Sequence, residues 1–165
     1  MANWVIVEEQ QGMQPIEVVD TVQNLPLGTR VRAKHSTYGE GEFIYLPGVA
    51  STVAGSAVIW LKSTTYFDTN LIAPNYIGAV AFAVGACVAG SYGWYQIYGN
   101  AVARTTSSAS AYARCWISAT VAGEIDDATV DGDLIHNAKY TAAASAGDCV
   151  VQISYPYVDD IASND

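Results

Sequence analysis

The sequence predicts a mainly β protein, an antiparallel barrel or sandwich with an extended N-terminal arm. Residues 94–98 alternate between the two faces of a strand and are bounded by Gly93 and Gly99. Glycine and tyrosine are frequent, at 14 and 11 copies, and long helix formers do not recur in periodic blocks. A turn pattern of glycine, a small polar residue and apolar residues also occurs at 55–58, 132–135 and 147–150. Its unequal spacing favours repeated turns over a solenoid.

The sequence divides into an arm at residues 1–26 and a single β-rich domain at residues 27–165. Pro15 and Pro26 interrupt short apolar pieces that cannot form a compact element alone. We therefore expect residues 1–24 to be exposed or exchanged between subunits.

Within the domain, each strand is predicted from a short apolar or alternating run between breakers. The predicted strands are 31–33, 41–46, 57–61, 79–84, 93–98, a return at 101–104, 114–120 and 149–155. Residues 103–113, which are small and polar, are expected to form a loop. Pro156 is expected to end the last strand, and the acidic tail 159–165 to fray.

The apolar stretch from residue 77 to residue 102 does not match a membrane helix. A bilayer span needs about 20 consecutive apolar residues. Ser91 and Gln96 interrupt this run, and no basic flank precedes it. The pattern favours two strands, and we expect no membrane partner.

Length and charge limit the classes of function. A chain of 165 residues is most simply one domain. Its 51% hydrophobic and 14% charged content argues against disorder. The net charge of -9, from 16 acidic and 7 basic residues, opposes binding to a phosphate backbone, so we expect no nucleic-acid partner.

The N-terminus and the cysteines indicate synthesis in a cytoplasm. Residues 1–9 lack a basic start and reach two glutamates before any long apolar run, unlike a signal peptide. Cys87, Cys115 and Cys149 are odd in number and lack short pair spacing. Buried thiols fit this pattern better than a disulfide framework.

Catalytic residues are scarce, so we expect no enzyme, no catalytic residue and no cofactor. The two histidines are His35 and His136, and the sequence around Ser91 misses the Gly-x-Ser-x-Gly elbow by one position. A small hydrolase stays open as an alternative if either histidine lies within reach of Ser91 or of an acid.

Acidic residues cluster between Glu124 and Asp133, where hard cations could find oxygen ligands. The register does not match an EF-hand, because no glutamate stands at the required end. We favour a solvated turn and assign no metal ligand; cation binding by this loop stays open.

Aromatic residues provide candidates for an interface, because large rings bring contact area with few rotors to order. Trp60 and Trp116 have apolar neighbours and are expected in the core. The interface candidates are Trp4, Trp94, Tyr95, Tyr98 and Tyr112.

Several phrases of the sequence resemble small proteins encoded beside the major capsid protein of tailed bacteriophages. The phrase at 90–102 reads Gly-Ser-Tyr-Gly-Trp-Tyr-Gln-Ile-Tyr-Gly-Asn-Ala-Val. Leu-Gly-Thr-Arg-Val-Arg-Ala at 27–33, the stretch 41–50 and Tyr-Pro-Tyr-Val-Asp-Asp at 155–160 are similar to the same group. The resemblance runs from about residue 25 to the C-terminus.

This resemblance implies a capsid decoration, or cement, protein. Such a protein would bind the major capsid protein on the outer surface of the virion, bridge capsomers and stabilise the shell. A homo-oligomer, trimer or dimer, would fit the local axes of the lattice. The alternative is a carbohydrate-binding β module displayed on a virion or cell surface, with two or three of the aromatic candidates on one exposed face.

Overall fold

The computed structural model describes residues 3–7, 12–64 and 66–159. Those residues contain eleven strands in one sheet and no helix, so none of their elements could cross a membrane as a helix. The mainly β prediction is confirmed. The strands are β1 (Val5–Ile6), β2 (Arg30–His35), β3 (Gly39–Pro47), β4 (Ala57–Lys62), β5 (Phe67–Leu71), β6 (Gly78–Ala83), β7 (Tyr92–Thr105), β8 (Arg114–Ile117), β9 (Ile125–Asp126), β10 (Leu134–Tyr140) and β11 (Gly147–Val158).

Five strands close a ring of hydrogen bonds. β7 pairs with β11, β11 with β10, β10 with β8, β8 with β9, and β9 returns to β7. Every pairing is antiparallel except the last, where Thr105 lies beside Ile125 in parallel register. Five strands cannot alternate direction all the way around a closed ring, so one parallel pair is unavoidable. The predicted antiparallel architecture therefore contains one parallel pairing.

The first half of β7 belongs to a second group of strands. It pairs with β3 along one edge and with β6 along the other, and β4 and β5 continue outward from β6. Both faces of β7 are covered here, because Trp94 packs into one apolar cluster and Tyr95 into another. β7 is therefore the central strand of the molecule.

The predicted break in β7 is wrong. Instead of a strand at 93–98 and a return at 101–104, one strand runs through Gly99 to Thr105. Gly99 has a φ of 100°, and a Cβ there would lie 2.2 Å from the Glu40 carbonyl oxygen. The glycine therefore allows close approach of β3 at a bulge instead of ending the strand.

Pro156 does not end β11. Ser154 is the last residue paired with β7, and Tyr157 begins the pairing with β6. Pro156 lies between these ladders, where its missing N–H interrupts neither. The strand therefore changes partners at the proline.

The segment before β2 is not wholly exposed. Gln14 and Ile16 are buried, and Asp20 forms a two-bond bridge with Tyr92. The exposure expected for residues 1–24 is wrong at these positions, because buried Trp94 needs an acceptor and finds the Gln14 carbonyl. The domain boundary at residue 26 stays a prediction.

Turn chemistry was predicted more accurately than strand ends. Gly55, Gly132 and Gly147 all have positive φ and stand at the entry to β4, β10 and β11. The predicted strand at 114–120 ends at Ile117, since the Ser118 hydroxyl accepts bonds from the amides of the following turn. The loop predicted at 103–113 starts only after Thr105. Of the predicted fraying tail, residues 160–165 lie outside the described residues.

Candidate binding groove

A groove of about 890 Å³ crosses the exposed face of β10, β11 and β7. Ligand sites usually have volumes of about 300–1,000 Å³, so its size suits a small ligand. Side chains that could bind a ligand through a ring, an amide or a charge are those of Tyr98, Asn100, Arg114, His136, Lys139 and Gln152.

Sheet register places four of these side chains in one transverse row. Arg114 of β8 pairs with Lys139 of β10, Lys139 with Gln152 of β11, and Gln152 with Asn100 of β7. Directly opposite residues of neighbouring strands point to the same face, about 4.5–5.5 Å apart at Cβ. The row therefore has two cations at one end and two amides at the other.

A second row lies two residues along β11. Ser154 pairs with Tyr98, and Tyr98 pairs with Glu42. The Tyr98 ring is 44% exposed and lies 5.6 Å from the ring of Tyr155. An aromatic ring thus stands beside the amide end of the first row.

Irregular backbone shapes the groove. The register between β10 and β11 shifts between His136 and Ala138, and Asn137 and Tyr155 adopt positive φ values of 59° and 51°. Bulges raise local twist and redirect side chains. Along β11, exposed and buried residues alternate up to Ser154, so that Gln152 and Ser154 are both exposed. The alternation breaks at the bulge, where the consecutive residues Ser154 and Tyr155 are both exposed.

Several polar groups of the row have no partner within the described residues. No hydrogen bond or ion pair joins the Lys139 ammonium or the side-chain amides of Gln152 and Asn100 to another described group. By contrast, Arg30, Lys34 and Arg104 each pair with a carboxylate. The groove therefore brings together Lys139, Gln152 and Asn100, whose side-chain polar groups are not used by any other described residue.

His136 lies at the end of the groove. Its Nε2 is 3.2 Å from Asp159 Oδ1, and its ring stacks on Tyr157 at 4.7 Å between centroids. Tyr155 donates to Glu42 Oε2 at 2.6 Å, and this bond raises the pKa of the Tyr155 hydroxyl. Tyr155 and Tyr157 thus contact Glu42 and His136, and of these four residues His136 lines the groove.

The structure separates the five aromatic candidates. Trp94 and Tyr95 are 1% and 0% exposed, so they offer no surface to a partner, and their assignment as contact residues is wrong. The reason is that β7 is covered on both faces. Tyr98 and Tyr112 are exposed, Tyr112 at 75%. Of these five, the groove includes Tyr98 alone.

Trp4 contacts the border of the same groove. Its ring lies 4.8 Å from Phe43 and 6.2 Å from Tyr38, measured between centroids. Tyr38 lines the groove, whereas Trp4 itself belongs to the partly buried edge of the core around Trp94. Trp4 is therefore in ring contact with one residue of the groove lining, and its role at an interface stays a prediction.

The residues considered for catalysis do not converge. Ser91 is buried, and its amide bonds to Val88. His35 Nδ1 accepts from the amides of Thr37 and Tyr38, at 3.0 and 3.3 Å, and so caps the turn before β3. His136 does lie within reach of an acid, since its Nε2 is 3.2 Å from Asp159 Oδ1, but in the described part of the chain no hydrogen bond joins its ring to a serine, threonine or cysteine.

All three cysteines are buried and free, as the sequence indicates. Burial raises the pKa of the Cys149 thiol to about 12 and also raises the pKa values of Cys87 and Cys115. These thiols stay protonated at neutral pH and lack the thiolate that reacts.

The acidic residues between Glu124 and Asp133 are engaged separately. Glu124 pairs with Arg104 at 3.1 Å, Asp126 accepts from the Ser107 hydroxyl at 2.7 Å, and buried Asp133 accepts from the Asn75 amide at 2.9 Å. In the described chain they form no group of three ligands suited to a metal ion.

Comparison of the chain with protein-family models, with curated proteins and with solved structures gives no match in any of the three.

Sequence reasoning missed most of the groove. Lys139, Gln152 and Asn100 come from three strands and have no common spacing in the sequence. Alternation along β11 could have placed Gln152 and Ser154 on one exposed face, but register across strands is what joins them to Lys139 and Asn100. That register depends on bulges that the sequence alone does not locate.

Proposed function

We propose that this protein is a structural virion protein that binds the outer surface of a phage capsid and stabilises it by bridging capsomers. The observation that carries the proposal is the ordered set of phrases shared with capsid decoration proteins. Three of these phrases fall on β2, β3 and β7, which are consecutive neighbours in the sheet. The resemblance therefore concerns one packed unit and not scattered surface segments.

Charge supports an outer location. With a net charge of -9, the chain would be repelled by packaged DNA, whereas the outside of a shell imposes no such cost. The partner would be the major capsid protein, and the chain would be made in the host cytoplasm.

An apolar surface supports adhesion as the activity. Ile59, Leu61 and Ile77 line one shallow cavity of about 350 Å³, and Leu61 and Ile77 are 64% and 63% exposed. Lys62 and Asp68 lie at its border. An apolar centre with a polar rim is typical of protein interfaces.

Assembly would increase the strength of attachment. If the protein is a trimer or dimer, each subunit can hold one site on the capsid, and the second binding event becomes intramolecular. Weak binding by each subunit through the apolar surface of Ile59, Leu61 and Ile77, here called the Leu61 surface, would then hold the oligomer stably on the capsid.

Co-sedimentation tests the proposal. Purified protein is added to undecorated, expanded capsids of the phage that encodes it and to emptied capsids of an unrelated phage. We expect saturable co-sedimentation with the first alone. Absence of binding to its own capsid, or equal binding to both, would refute the proposal.

A pair of variants locates the contact. Leu61→Ser should lower capsid occupancy, because it places a hydroxyl at the apolar centre. Val121→Ser changes another exposed apolar residue, 42% exposed, outside both that cavity and the arm, and should leave occupancy unchanged. Equal capsid occupancy for both variants would show that the Leu61 surface does not contact the capsid.

A further inference from the structure

We infer that the groove across β10, β11 and β7 binds an acidic saccharide, a sugar that carries a carboxylate. This inference does not depend on capsid binding. It rests on the transverse row of Arg114, Lys139, Gln152 and Asn100, and on the exposed ring of Tyr98 beside it.

The cationic end of the row selects an anion. The Lys139 ammonium can pair with one carboxylate, and Arg114, directly opposite on the paired strand, adds positive potential beside it. In the described chain Lys139 has no acidic partner, although the protein has an excess of nine negative charges.

The amide end suits hydroxyl groups. Gln152 and Asn100 each present a donor and an acceptor, and their side chains bond to no other described residue. Sugar hydroxyls also donate and accept, so paired amides can bind them in several orientations. The Tyr98 ring, in the neighbouring row, offers an apolar surface for one face of a pyranose.

The sheet disfavours an extended peptide as the ligand. β10, β11 and β7 are each paired on both edges along the groove, by β8, β3 and one another. A peptide that adds to a sheet needs an unpaired edge for its main-chain bonds. Recognition in this groove must come from side chains, as is usual for a small polar ligand.

Nucleic acid is also disfavoured. Binding to a phosphate backbone needs many Lys and Arg residues along a track. The groove has two of the seven basic residues and Glu40 on its opposite wall. One localised negative charge among hydroxyls fits this distribution, and a polyanion does not.

The test is an array of oligosaccharides of glucuronate, galacturonate, mannuronate and sialate, each beside its methyl ester. We expect at least one carboxylate form to bind, and its ester to bind about tenfold more weakly, because esterification removes the charge without changing the ring. Binding should weaken as salt rises. No binding across the array, or equal binding of acids and esters, would overturn the inference.

Matched variants assign the binding to this groove. Lys139→Gln should weaken binding about tenfold, whereas Lys62→Gln, which changes a cation outside the groove, should have no effect. Gln152→Ala is exposed and should fold normally while reducing affinity. Equal effects of the two lysine variants would contradict the assignment.

Two further arms define the ligand class. Tyr98→Ala should reduce binding, and Tyr112→Ala, at the more exposed tyrosine, should not. A hexapeptide of alternating aspartate and glutamate should not compete with the saccharide. Binding of that peptide in place of every saccharide would show that the groove takes acidic protein segments, and would overturn the inference.

Discussion

The two ends of β7 lie in cores that are closed in different ways. The Trp94 core consists of the buried residues Ile16, Val31, Ala33, Phe43, Tyr45 and Trp94. The ring core lies within β7, β8, β9, β10 and β11 and continues to residues of β4 and β6. It contains mainly aliphatic and small side chains, including Ile117, Ile135, Val151 and Ile153. A ladder of backbone bonds surrounds the ring core, whereas a non-sheet segment, residues 12–26, covers the Trp94 core.

This difference shows where single side chains matter most. The segment over the Trp94 core is held by one bridge at Asp20 and by side-chain bonds that converge on Gln14. The ring core is instead enclosed by many backbone hydrogen bonds between paired strands, so no single side chain closes it. Substitutions in the Trp94 core should therefore cost more than comparable substitutions in the ring core.

The largest expected effect is that of Trp94→Ala. The indole is fully buried, and its removal leaves a cavity and an unsatisfied Gln14 carbonyl, so the free energy of unfolding should fall by about 3–5 kcal/mol. Urea unfolding followed by circular dichroism measures the change. Tyr112→Ala, at a 75% exposed ring, is the control and should stay within about 0.5 kcal/mol. Similar losses for both variants would contradict the burial of Trp94.

Gln14→Ala should have the next largest effect. The Gln14 side chain accepts from the Tyr45 hydroxyl at 3.0 Å and from the Asn24 amide at 3.0 Å. Its removal leaves the buried Tyr45 O–H without its acceptor, and the loss should be about 1–3 kcal/mol. Gln23→Ala makes the same change at an exposed site as a control. A loss no greater than that of Gln23→Ala would show that residues 12–26 do not close this core.

The fold class could be read from the sequence because turns and alternation are local. Each of the turns before β4, β10 and β11 needs a positive φ at one residue, and the glycine at that position is visible in the sequence. The break assigned to Gly99 failed because the role of this glycine is set by the Glu40 carbonyl, 59 positions away in the sequence. The burial of Gln14 was likewise decided by the distant indole of Trp94.

The groove was less accessible to sequence reasoning than the fold. Tyr98 was among the aromatic candidates, but alternation cannot tell which strand faces are covered by other strands, and Trp94 and Tyr95 were misassigned for that reason. Lys139 and Gln152 carry no local signal. Their proximity follows from the pairing of β10 with β11.

Alkaline pH should lower the free energy of unfolding, mainly through the buried thiols of Cys115 and Cys149 in the ring core. Burial raises the pKa of Cys149 to about 12 and raises that of Cys115, so both stay protonated when folded but ionise in the unfolded chain from about pH 8.5. The stability they contribute is complete below that pH. It should decrease towards pH 12 by up to about 1.4 kcal/mol per pH unit for each thiol.

Urea unfolding at pH 8, 9 and 10 measures this slope. The double variant Cys115→Ala and Cys149→Ala should flatten it more than Cys87→Ala, which removes the one thiol outside the ring core. A slope unchanged by the double variant would show that these thiols do not remain protonated on folding.

The smallest effects should come from deleting one hydroxyl from each of two tyrosines. Tyr140 is buried in the ring core, and its hydroxyl lies 2.9 Å from Thr105 Oγ1, so Tyr140→Phe should cost about 0.5–1.5 kcal/mol. Tyr155 is 49% exposed, and water can replace its hydroxyl at Glu42, so Tyr155→Phe should stay within about 0.5 kcal/mol. Because both variants remove the same atom, the difference in their free energies of unfolding measures the contribution of burial. A larger loss for Tyr155→Phe would mean that the exposed bond to Glu42 stabilises the fold more than the buried bond between Tyr140 and Thr105.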